Sequence, residues 1–501
     1  MAKASMRERY QLLTRDLDWQ PSFVTKEELY PHTRFEGIKI HDWDAWEDPF
    51  RLTVDAYAKY QSEKDKRLYA GFDTLAQGQG HLQISDPRYL AAIKLFRQAV
   101  TPQEYNVHRH FGYIARALDG PGPRCANLFQ SIDELRHAQT QTHSVSMYNK
   151  YYDGFHSPER MLQKVWYLSV SKSYFDDALS AGPFEFLTAI SFSFEYFLTN
   201  LLFVPFMSGA SFNGDLSVMS AGFSAQSDES RHMTLGLEVI KFILEQDEDN
   251  VPIVQGWLDK WFWRGYRFLG LVAMMQDYLL PRKVMSWQEA FELYLEQQML
   301  EGLFPDLEYY GIRPPTGVDQ AIAEKTYLSH ALYWVFYQFS HAAVFTTTIP
   351  QAEELDWMSA QYPGTFDQHF RPLWEKAARM QADGNRFFVG GLPMLCQICQ
   401  IPAAFPEPGN PAKIVTFHGE YGGERYNFCS QFCKSIFERE PKKYIQALLP
   451  VHQIYQGNCG GATIPEVLEW YGMTPHDSGE YTTSREAENW AKWHAPAGVM
   501  A

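Results

Sequence analysis

The sequence predicts a mainly α-helical protein: a ferritin-like four-helix bundle that holds two metal ions, additional helices, and a small C-terminal four-cysteine zinc module. The strongest observation is a Glu-x-x-His phrase that occurs twice, in Asp133–His137 and in Asp228–His232. The second observation is a lone glutamate ahead of each phrase, Glu104 and then Glu195. The third is a cluster of four cysteines between residues 396 and 433.

The spacing of each phrase suits a metal ligand pair on a helix. In an α-helix, residues three positions apart lie about 60° apart around the axis and roughly 4.5 Å along it, so both can reach one ion. Glu134 with His137, and Glu229 with His232, therefore form two candidate pairs. A carboxylate-bridged dimetal centre also needs one lone glutamate from each of two further helices, and the two lone glutamates stand where such helices are expected.

Four carboxylates and two imidazoles favour iron or manganese over zinc or copper, and their charge matches two ferrous ions. The plain alternative is a solvated or core position without metal, which is the usual explanation of a single Glu-x-x-His. Against that alternative, Glu195 lies in the strongly apolar run from Phe184 to Phe206. Burying a carboxylate there without a cation would be costly.

Helical periodicity of 3.6 residues is continuous from Asp86 onward. The third and fourth bundle helices are predicted to run from Pro183 to Pro205 and from Leu216 to Leu244. Four regions are predicted, namely an irregular subunit-contact region at 1–85, the ferritin-like diiron domain with accessory helices at 86–390, the four-cysteine zinc-binding module at 391–460, and a C-terminal tail at 461–501.

The composition indicates a well-packed globular protein, with 45% hydrophobic and 16% aromatic residues among 501. A net charge of -16 argues against nucleic acid as a partner. The segment Met1–Arg9 lacks the apolar core of a secretory signal, and no apolar run reaches the length of a membrane-spanning helix. We therefore expect a cytoplasmic protein with no membrane partner.

The cysteine cluster has the spacing of a metal site. A Cys-x2-Cys pair, Cys396 and Cys399, precedes a Cys-x3-Cys pair, Cys429 and Cys433. Four thiolates at such spacing predict a structural zinc ion. Unbound thiols or another soft metal are the alternatives, and a redox role has no support nearby.

A candidate substrate pocket follows from apolar residues near the lone glutamates. Ordinary core packing is the alternative for each of them, but together they suit a flat apolar substrate. The candidates are Val100, Val107, Phe175, Phe192, Phe194 and Phe203.

Several motifs resemble a known family. The segments Ser131–His137, Phe192–Glu195 and Gln226–His232 resemble the hydroxylase α subunit of bacterial multicomponent monooxygenases, which hold a carboxylate-bridged diiron centre. More narrowly, the phenol hydroxylase branch of that family is similar over nearly the whole chain, above all in Phe35–Trp43, Phe194–Gly209 and Asp259–Arg267.

The resemblance implies a diiron enzyme that uses O2 to convert phenol to catechol, with NADH as the ultimate electron source. It also implies residue roles. Glu104, Glu134 and His137 would bind one iron, and Glu195, Glu229 and His232 the other.

Five further residues match functional positions of the family. Thr199 matches an active-site threonine, although a helical threonine bonded to its own backbone is the alternative. Asn200 and Gln226 match polar positions linked to the face for the regulatory protein. Asp133 and Asp228 resemble acceptors that orient the ligand histidines, as metal-bound imidazoles generally require.

The resemblance further implies partners. The α subunit is expected to assemble with β and γ subunits into an (αβγ)2 hydroxylase and to need a small coupling protein. A reductase that carries FAD and a 2Fe-2S cluster would deliver the electrons. Nothing in this chain looks like a flavin or nicotinamide site, so NADH dependence would come from that partner.

Other functions remain open on the residues alone. The nearest is a toluene- or benzene-type aromatic monooxygenase α subunit, which shares the six ligands. A ribonucleotide reductase small subunit would usually have Asp in place of Glu104, and a soluble acyl desaturase has different flanking sequence. Ferritin-like iron storage normally needs a much shorter chain, and a metal-sensing scaffold built on the cysteines would leave the six-ligand set without a purpose.

Overall fold

The computed structural model describes residues 5–12, 22–25, 28, 36–84, 86–152, 155, 162, 166–339, 347–385 and 393–445. The predicted tail at 461–501, the end of the predicted four-cysteine module at 446–460, and Phe35 lie outside the described residues.

The described part of the chain is mainly helical, as predicted. In chain order the α-helices are α1 (Met6–Gln11), α2 (Val54–Gln77), α3 (Pro87–Ala117), α4 (Pro121–Asn149), α5 (Ser169–Ala178), α6 (Pro183–Leu187), α7 (Asn200–Phe212), α8 (Leu216–Gln246), α9 (Asn250–Met274), α10 (Trp287–Ala290), α11 (Phe304–Glu308), α12 (Val318–Glu324), α13 (Leu328–Phe339), α14 (Ala352–Gln361), α15 (Arg371–Ala382), α16 (Gln431–Arg439) and α17 (Pro441–Ile445).

Wider and tighter helical turns connect some of these elements. The π-helical segments are Thr188–Tyr196, Met275–Leu279, Phe291–Glu301 and Phe366–Phe370, and the 3₁₀ turns are Trp43–Ala45, Gly80–Gln83 and Trp166–Leu168. The strands are β1 (Phe405–Glu407), β2 (Asn410–Val415), β3 (Phe417–Tyr421) and β4 (Glu424–Phe428).

The predicted four-helix bundle is confirmed. Its members are α3, α4, the broken helix formed by α6, Thr188–Tyr196 and α7, and finally α8. Helix α3 packs along α4, and α8 packs against Thr188–Tyr196. The Asp86 side chain caps α3 by accepting a hydrogen bond from the amide of Arg88. Helix α4 begins at Pro121. Proline has no amide hydrogen, but an amide in the first turn of a helix has no intrahelical acceptor, so no hydrogen bond is lost.

The third bundle helix differs from the prediction, because it does not end at Pro205. Helix α7 continues through that residue to Phe212. Proline cannot donate to the carbonyl four residues earlier, here that of Leu201. The Gln276 side-chain amide donates to the Leu201 carbonyl at 2.5 Å instead. This long-range hydrogen bond satisfies the freed acceptor and lets the helix continue.

The expectation of irregular structure up to residue 85 is wrong for α2, a helix of 24 residues. Its buried residues are Tyr57, Gln61, Leu68 and Phe72. Because this buried stripe includes a glutamine and a tyrosine, the apolar periodicity that signals a helix is weak. Helix α2 packs across α8 and places polar side chains behind the two His-bearing helices.

Accessory helices cover the bundle with large aromatic side chains. Helix α9 packs against both Thr188–Tyr196 and α13. Trp261, Trp263, Trp287 and Trp374 are fully buried. Among the described residues no single helix is long and apolar enough to span a membrane. The helix pair Pro183–Tyr196 and Asn200–Phe212, which is bent by 44°, is long and apolar enough only when its two parts are taken together.

The cysteine-rich region folds as two β-hairpins followed by two helices. Strand β1 pairs antiparallel with β2, and β3 pairs antiparallel with β4. Phe432 of α16 packs against Trp263 of α9, with ring centroids 4.6 Å apart. We refer to residues 393–445 as the four-cysteine module. The domain boundaries at 85, 390 and 460 stay predictions.

Candidate metal centre

The two Glu-x-x-His phrases face each other across the bundle from α4 and α8. All four of these side chains are buried. Ligand atoms of Glu104, Glu134 and His137 lie within 4.8 Å of one another, and so do those of Glu134, Glu229 and His232. The two clusters share Glu134, so they form one centre and not two separate sites.

Glu134 and Glu229 each present one oxygen to each histidine. Glu134 Oε2 lies 3.5 Å from His137 Nδ1, and its Oε1 lies 3.2 Å from His232 Nδ1. Glu229 Oε1 lies 3.4 Å from His137 Nδ1, and its Oε2 lies 3.4 Å from His232 Nδ1. Both carboxylates therefore lie between the two ligand histidines.

The lone glutamates occupy different positions. Glu104 Oε2 lies 3.8 Å from His137 Nδ1, and the Gln141 amide donates to Glu104 Oε1 at 2.7 Å. Glu195 is predicted to join Glu229 and His232, and the ligand atoms found within 4.8 Å of one another there are those of Glu134, Glu229 and His232. The Gln130 amide contacts both Glu195 oxygens, at 3.3 and 3.0 Å. A buried carboxylate requires a hydrogen-bond donor, and Gln130 supplies one to Glu195.

The two aspartates act across the bundle. Asp228 of α8 lies 3.2 Å from Nε2 of His137 on α4, and Asp133 of α4 lies 3.3 Å from Nε2 of His232 on α8. Each aspartate therefore orients the histidine of the opposite phrase. With Nε2 bonded outward, both Nδ1 atoms point towards the glutamates.

Helix α2 completes this outer layer, and sequence reasoning missed its contribution. The Gln61 amide donates to Oδ1 of both Asp133 and Asp228, at 2.7 Å each. The Tyr57 hydroxyl also donates to Asp133, and Lys64 pairs with Asp228. These α2 residues carry no local signal, because they lie far from the phrases along the chain.

Arginine supplies further positive charge. Arg136 Nη1 contacts Asp133 at 3.2 Å and Asp228 at 3.1 Å, and Arg231 pairs with Asp133. The two phrases share the pattern Asp-Glu-x-Arg-His, so Arg136 and Arg231 occupy equivalent positions. That repetition was a signal for their shared role in neutralising the aspartates.

Burial and mutual contacts shift the pKa values of the acidic and imidazole groups in the centre. Burial raises the pKa of Glu104 to about 8 and that of Glu195 well above its ordinary value. Burial alone would lower the pKa of His232, but the contacts with Glu134 and Glu229 raise it to about 9. Likewise the pKa of His137 is raised by Asp228, Glu104 and Glu134 against the effect of burial.

Within the described residues, three buried atoms of the centre have no hydrogen-bond partner: Glu134 Oε1, His137 Nδ1 and His232 Nδ1. A buried polar atom without a hydrogen-bond partner costs free energy, and these three atoms all belong to candidate metal ligands. Carboxylate oxygens with two imidazole nitrogens are a donor set suited to iron or manganese. The residues present therefore fit a pair of such metal ions.

A cleft of about 1050 Å³, including its solvent-open part, lies against the centre. Five of the six predicted pocket residues line it: Val100, Val107, Phe175, Phe194 and Phe203. Phe192 does not. It is fully buried and stacks on Tyr196 with ring centroids 5.7 Å apart. Sequence reasoning missed other lining side chains, namely Phe96, Leu202, Phe206, Met207 and Phe268.

The remaining predicted residues lie in two environments. Thr199 lines the cleft, and its hydroxyl donates to the Phe194 carbonyl at 2.9 Å, so the backbone bond considered from the sequence is present. Asn200 and Gln226 are half-buried and lie outside the lining of the cleft.

The four cysteines of the four-cysteine module come together. Cys396, Cys399, Cys429 and Cys433 are buried free thiols with sulfur atoms within 4.8 Å of one another. The sulfur of Cys429 lies 3.4 Å from that of Cys399 and 3.8 Å from that of Cys433. Four convergent buried thiols fit one zinc ion.

Comparisons with known proteins agree with this geometry. The sequence model described as methane/phenol/alkene hydroxylase matches residues 19–247, and the YHS domain model matches residues 407–448. The oxygenase component DmpN of phenol 2-monooxygenase from Pseudomonas sp. (strain CF600) is 56% identical over 490 residues, covering 97% of this chain and 95% of that protein. This chain belongs to the methane/phenol/alkene hydroxylase family.

Within the methane/phenol/alkene hydroxylase family, similarity extends to more distant members and to a solved structure. The alkene monooxygenase oxygenase α subunit from Xanthobacter autotrophicus is 26% identical, covering 93% of this chain and 94% of that protein. The crystal structure of xenon-pressurised phenol hydroxylase from Pseudomonas sp. OX1 matches with a TM-score of 0.93 and 56% identity, covering 98% of this chain and 100% of that chain. Such coverage supports the hydroxylase interpretation over iron storage, a ribonucleotide reductase small subunit or a desaturase.

Proposed function

We propose that this chain is the oxygenase α subunit of a multicomponent phenol hydroxylase, which converts phenol and O2 to catechol. The observation that carries this function is a carboxylate and imidazole centre that opens directly onto an aromatic cleft. Glu104, Glu134, His137, Glu195 and Glu229 all line the cleft that the phenylalanines form. The 56% identity to a phenol 2-monooxygenase component favours phenol over toluene or benzene as the substrate.

We assign the diiron ligands from the geometry and the family together. Glu104, Glu134 and His137 would hold one iron, and Glu229, His232 and Glu195 would hold the other. When bound, the two irons supply the electrons and the Lewis acidity that activate dioxygen. Gln141 and Gln130 hold the two lone glutamates by their amide donors.

The protein residues orient the ligand histidines and the substrate. Asp228 and Asp133 fix which nitrogen of each histidine carries a proton, so that both Nδ1 atoms remain available. The flat phenylalanine and valine wall holds an aromatic ring by burying its faces. The Thr199 hydroxyl lies on the cleft wall, where it can accept or pass a proton near the substrate.

We assign the remaining components to partners. Exposed apolar side chains on α3 and α4, namely Tyr105, Leu128 and Ile132, support burial against β, γ or a second α subunit in an (αβγ)2 assembly. Asn200 and Gln226, which are partly exposed, are proposed to face the coupling protein. NADH, FAD and the 2Fe-2S cluster belong to the reductase. Zinc is structural, and the cytoplasmic location stays a prediction.

A single-turnover experiment tests the function. Assembled hydroxylase with two irons per α chain is reduced with dithionite and mixed with O2, phenol and the coupling protein. Catechol formation in proportion to the diiron content is expected, with less product when the coupling protein is omitted. No catechol from fully loaded protein would refute the proposal, and faster conversion of toluene than of phenol would refute the substrate assignment.

A further inference from the structure

Helix α5 lies between the cleft and the four-cysteine module. Its Phe175 lines the cleft, whereas its Ser173 and Asp177 contact the module. Successive residues of an α-helix are rotated by about 100°, so positions 173 and 177 share one face and position 175 lies on the opposite face. One short helix therefore separates the aromatic wall from the cysteine cluster.

Helix α5 directly contacts the turn between Cys396 and Cys399. The carbonyl of Ile398, which lies between Cys396 and Cys399, accepts hydrogen bonds from the Ser173 hydroxyl and from Arg264 Nη1, the latter at 3.0 Å. The backbone that positions the first two thiols thus bonds to the helix that carries the cleft wall. Loosening that turn would release a buried hydrogen-bond acceptor.

Asp177 is the second contact, and it is buried. The module supplies Lys443 Nζ at 2.6 Å and the Tyr444 hydroxyl at 2.9 Å. Helix α9 supplies Lys260 Nζ at 3.3 Å and Arg264 Nε at 3.2 Å. Burial would raise the pKa of Asp177, but these three cations hold it well below its usual range. Removing one partner from a buried ionic network is strongly destabilising, so this contact fixes α5 firmly.

On the cleft side, α5 supports several aromatic rings. The Phe175 ring lies 5.7 Å from that of Phe194 and 6.1 Å from that of Phe268, both in edge-to-face geometry. The Tyr174 hydroxyl donates to the Ala189 carbonyl at 2.8 Å, in the π-helical segment that carries Glu195. A small displacement of α5 would therefore shift three rings of the wall together.

We propose that the four-cysteine module determines the specificity of the hydroxylase by holding Ser173 and Asp177, which fixes Phe175 and the aromatic wall against which the phenol ring lies. This inference rests on the proposed function, since it takes the cleft as the phenol site. The module acts by positioning alone, because none of its described residues lines the cleft. We call Ser173, Asp177, Ile398, Lys443 and Tyr444 the α5 seam.

The test uses the assembled hydroxylase with Tyr444→Phe and Ser173→Ala, each of which removes one hydroxyl from the α5 seam. Tyr426→Phe is the matched control, because it removes one hydroxyl from the same module at a tyrosine that packs against Phe437 and is not one of the seam residues. The rate of amide hydrogen exchange in the peptide 169–178 reports how readily α5 opens locally. The ratio of 3-methylcatechol to 4-methylcatechol formed from 3-methylphenol reports the shape of the wall.

We expect both seam variants to keep the wild-type iron and zinc contents. Their α5 exchange should rise by about three- to tenfold, as local opening becomes easier. Their isomer ratio should change by about twofold or more, because pocket contacts of this kind discriminate modestly between substrate poses. The control should match the wild type in both measurements.

Each contrary outcome is informative. Normal catechol formation with unchanged exchange and an unchanged isomer ratio in both seam variants would overturn this inference alone. Faster exchange with an unchanged ratio, or an equal shift in the Tyr426→Phe control, would overturn it as well. If fully iron-loaded wild type forms no methylcatechol and no catechol, the proposed function fails and the inference fails with it.

Discussion

The Asp228 carboxylate of α8 lies 3.2 Å from Nε2 of His137 on α4, so the outer partner of each ligand histidine comes from the opposite helix. The converse pair, Asp133 with His232, has the same geometry at 3.3 Å. Metal affinity at either histidine therefore depends on how α4 and α8 pack. Mutations of the aspartates are expected to reveal this dependence.

We predict that Asp228→Asn weakens iron binding by roughly 10- to 100-fold, because an amide orients the imidazole less well and adds no negative charge. Competition with a chelator measures the affinity. Asp65→Asn is the matched control, because Asp65 pairs with Arg136 in the same network without touching a histidine. Equal losses in the two variants would contradict a specific role for Asp228.

Glu134 is predicted to matter more than Glu104 for metal loading, because Glu134 belongs to both clusters. Glu134→Ala should leave essentially no bound iron, whereas Glu104→Ala should retain about one iron per chain. Metal analysis after anaerobic loading and desalting measures both contents. Retention of two irons by the Glu134→Ala protein would refute the ligand assignment.

Metal loading is predicted to strengthen as pH rises. Burial raises the pKa of Glu104 to about 8 in the metal-free protein, so this carboxyl is largely protonated at neutral pH. A metal ion must displace that proton, so Glu104 contributes to the rise in affinity until the pH passes about 8. Anaerobic Mn²⁺ titration calorimetry in two buffers of different ionisation enthalpy counts the released protons.

Glu104→Gln supplies the control for this pH dependence. The variant should release fewer protons on binding and show a shallower rise of affinity with pH. His232, whose pKa is raised to about 9, contributes in the same direction and remains in both proteins. Affinity that does not change between about pH 6.5 and pH 8 would contradict the prediction.

Because Gln276 donates to the Leu201 carbonyl, we predict that substitutions of Gln276 and Pro205 have non-additive effects on the free energy of unfolding. Gln276→Ala should lower the free energy of unfolding by about 1–3 kcal/mol, because the Leu201 carbonyl is left buried without a donor. Pro205→Ala restores a backbone donor to that carbonyl. The double variant should then lose less stability than the sum of the single variants, as measured by denaturant unfolding. Additive effects would mean that Gln276 does not replace the proline's missing bond.

Much of the fold and the centre was accessible to sequence reasoning because the signals are local. The spacing of Glu134 to His137, and of Glu229 to His232, follows from helical geometry within a few residues. The apolar run around Glu195 indicated burial of a carboxylate, and the four cysteines kept a zinc-like spacing. The start of α8 was predicted correctly at Leu216, and the Asp215 side chain caps the helix there.

Other features were not local and could not be predicted. Helix α2 has a stripe of mixed polarity, so its regular structure and the Gln61 bridge were missed. Phe192 and Phe194 are equally apolar, yet only Phe194 reaches the cleft. Both lie in the π-helical segment, where the i to i+5 hydrogen-bond pattern changes the face on which each residue lies.

The sequence by itself determined the kind of centre, because ligand type and spacing along one helix decide which metals can bind. Only the tertiary structure decided how those ligands are shared: Glu134 belongs to both clusters, Gln130 binds Glu195, and each aspartate serves the histidine of the opposite helix. The physical reason is that periodicity describes one helix at a time. The rotation and register of two packed helices depend on contacts far apart in the chain, including those that α2 and the four-cysteine module provide.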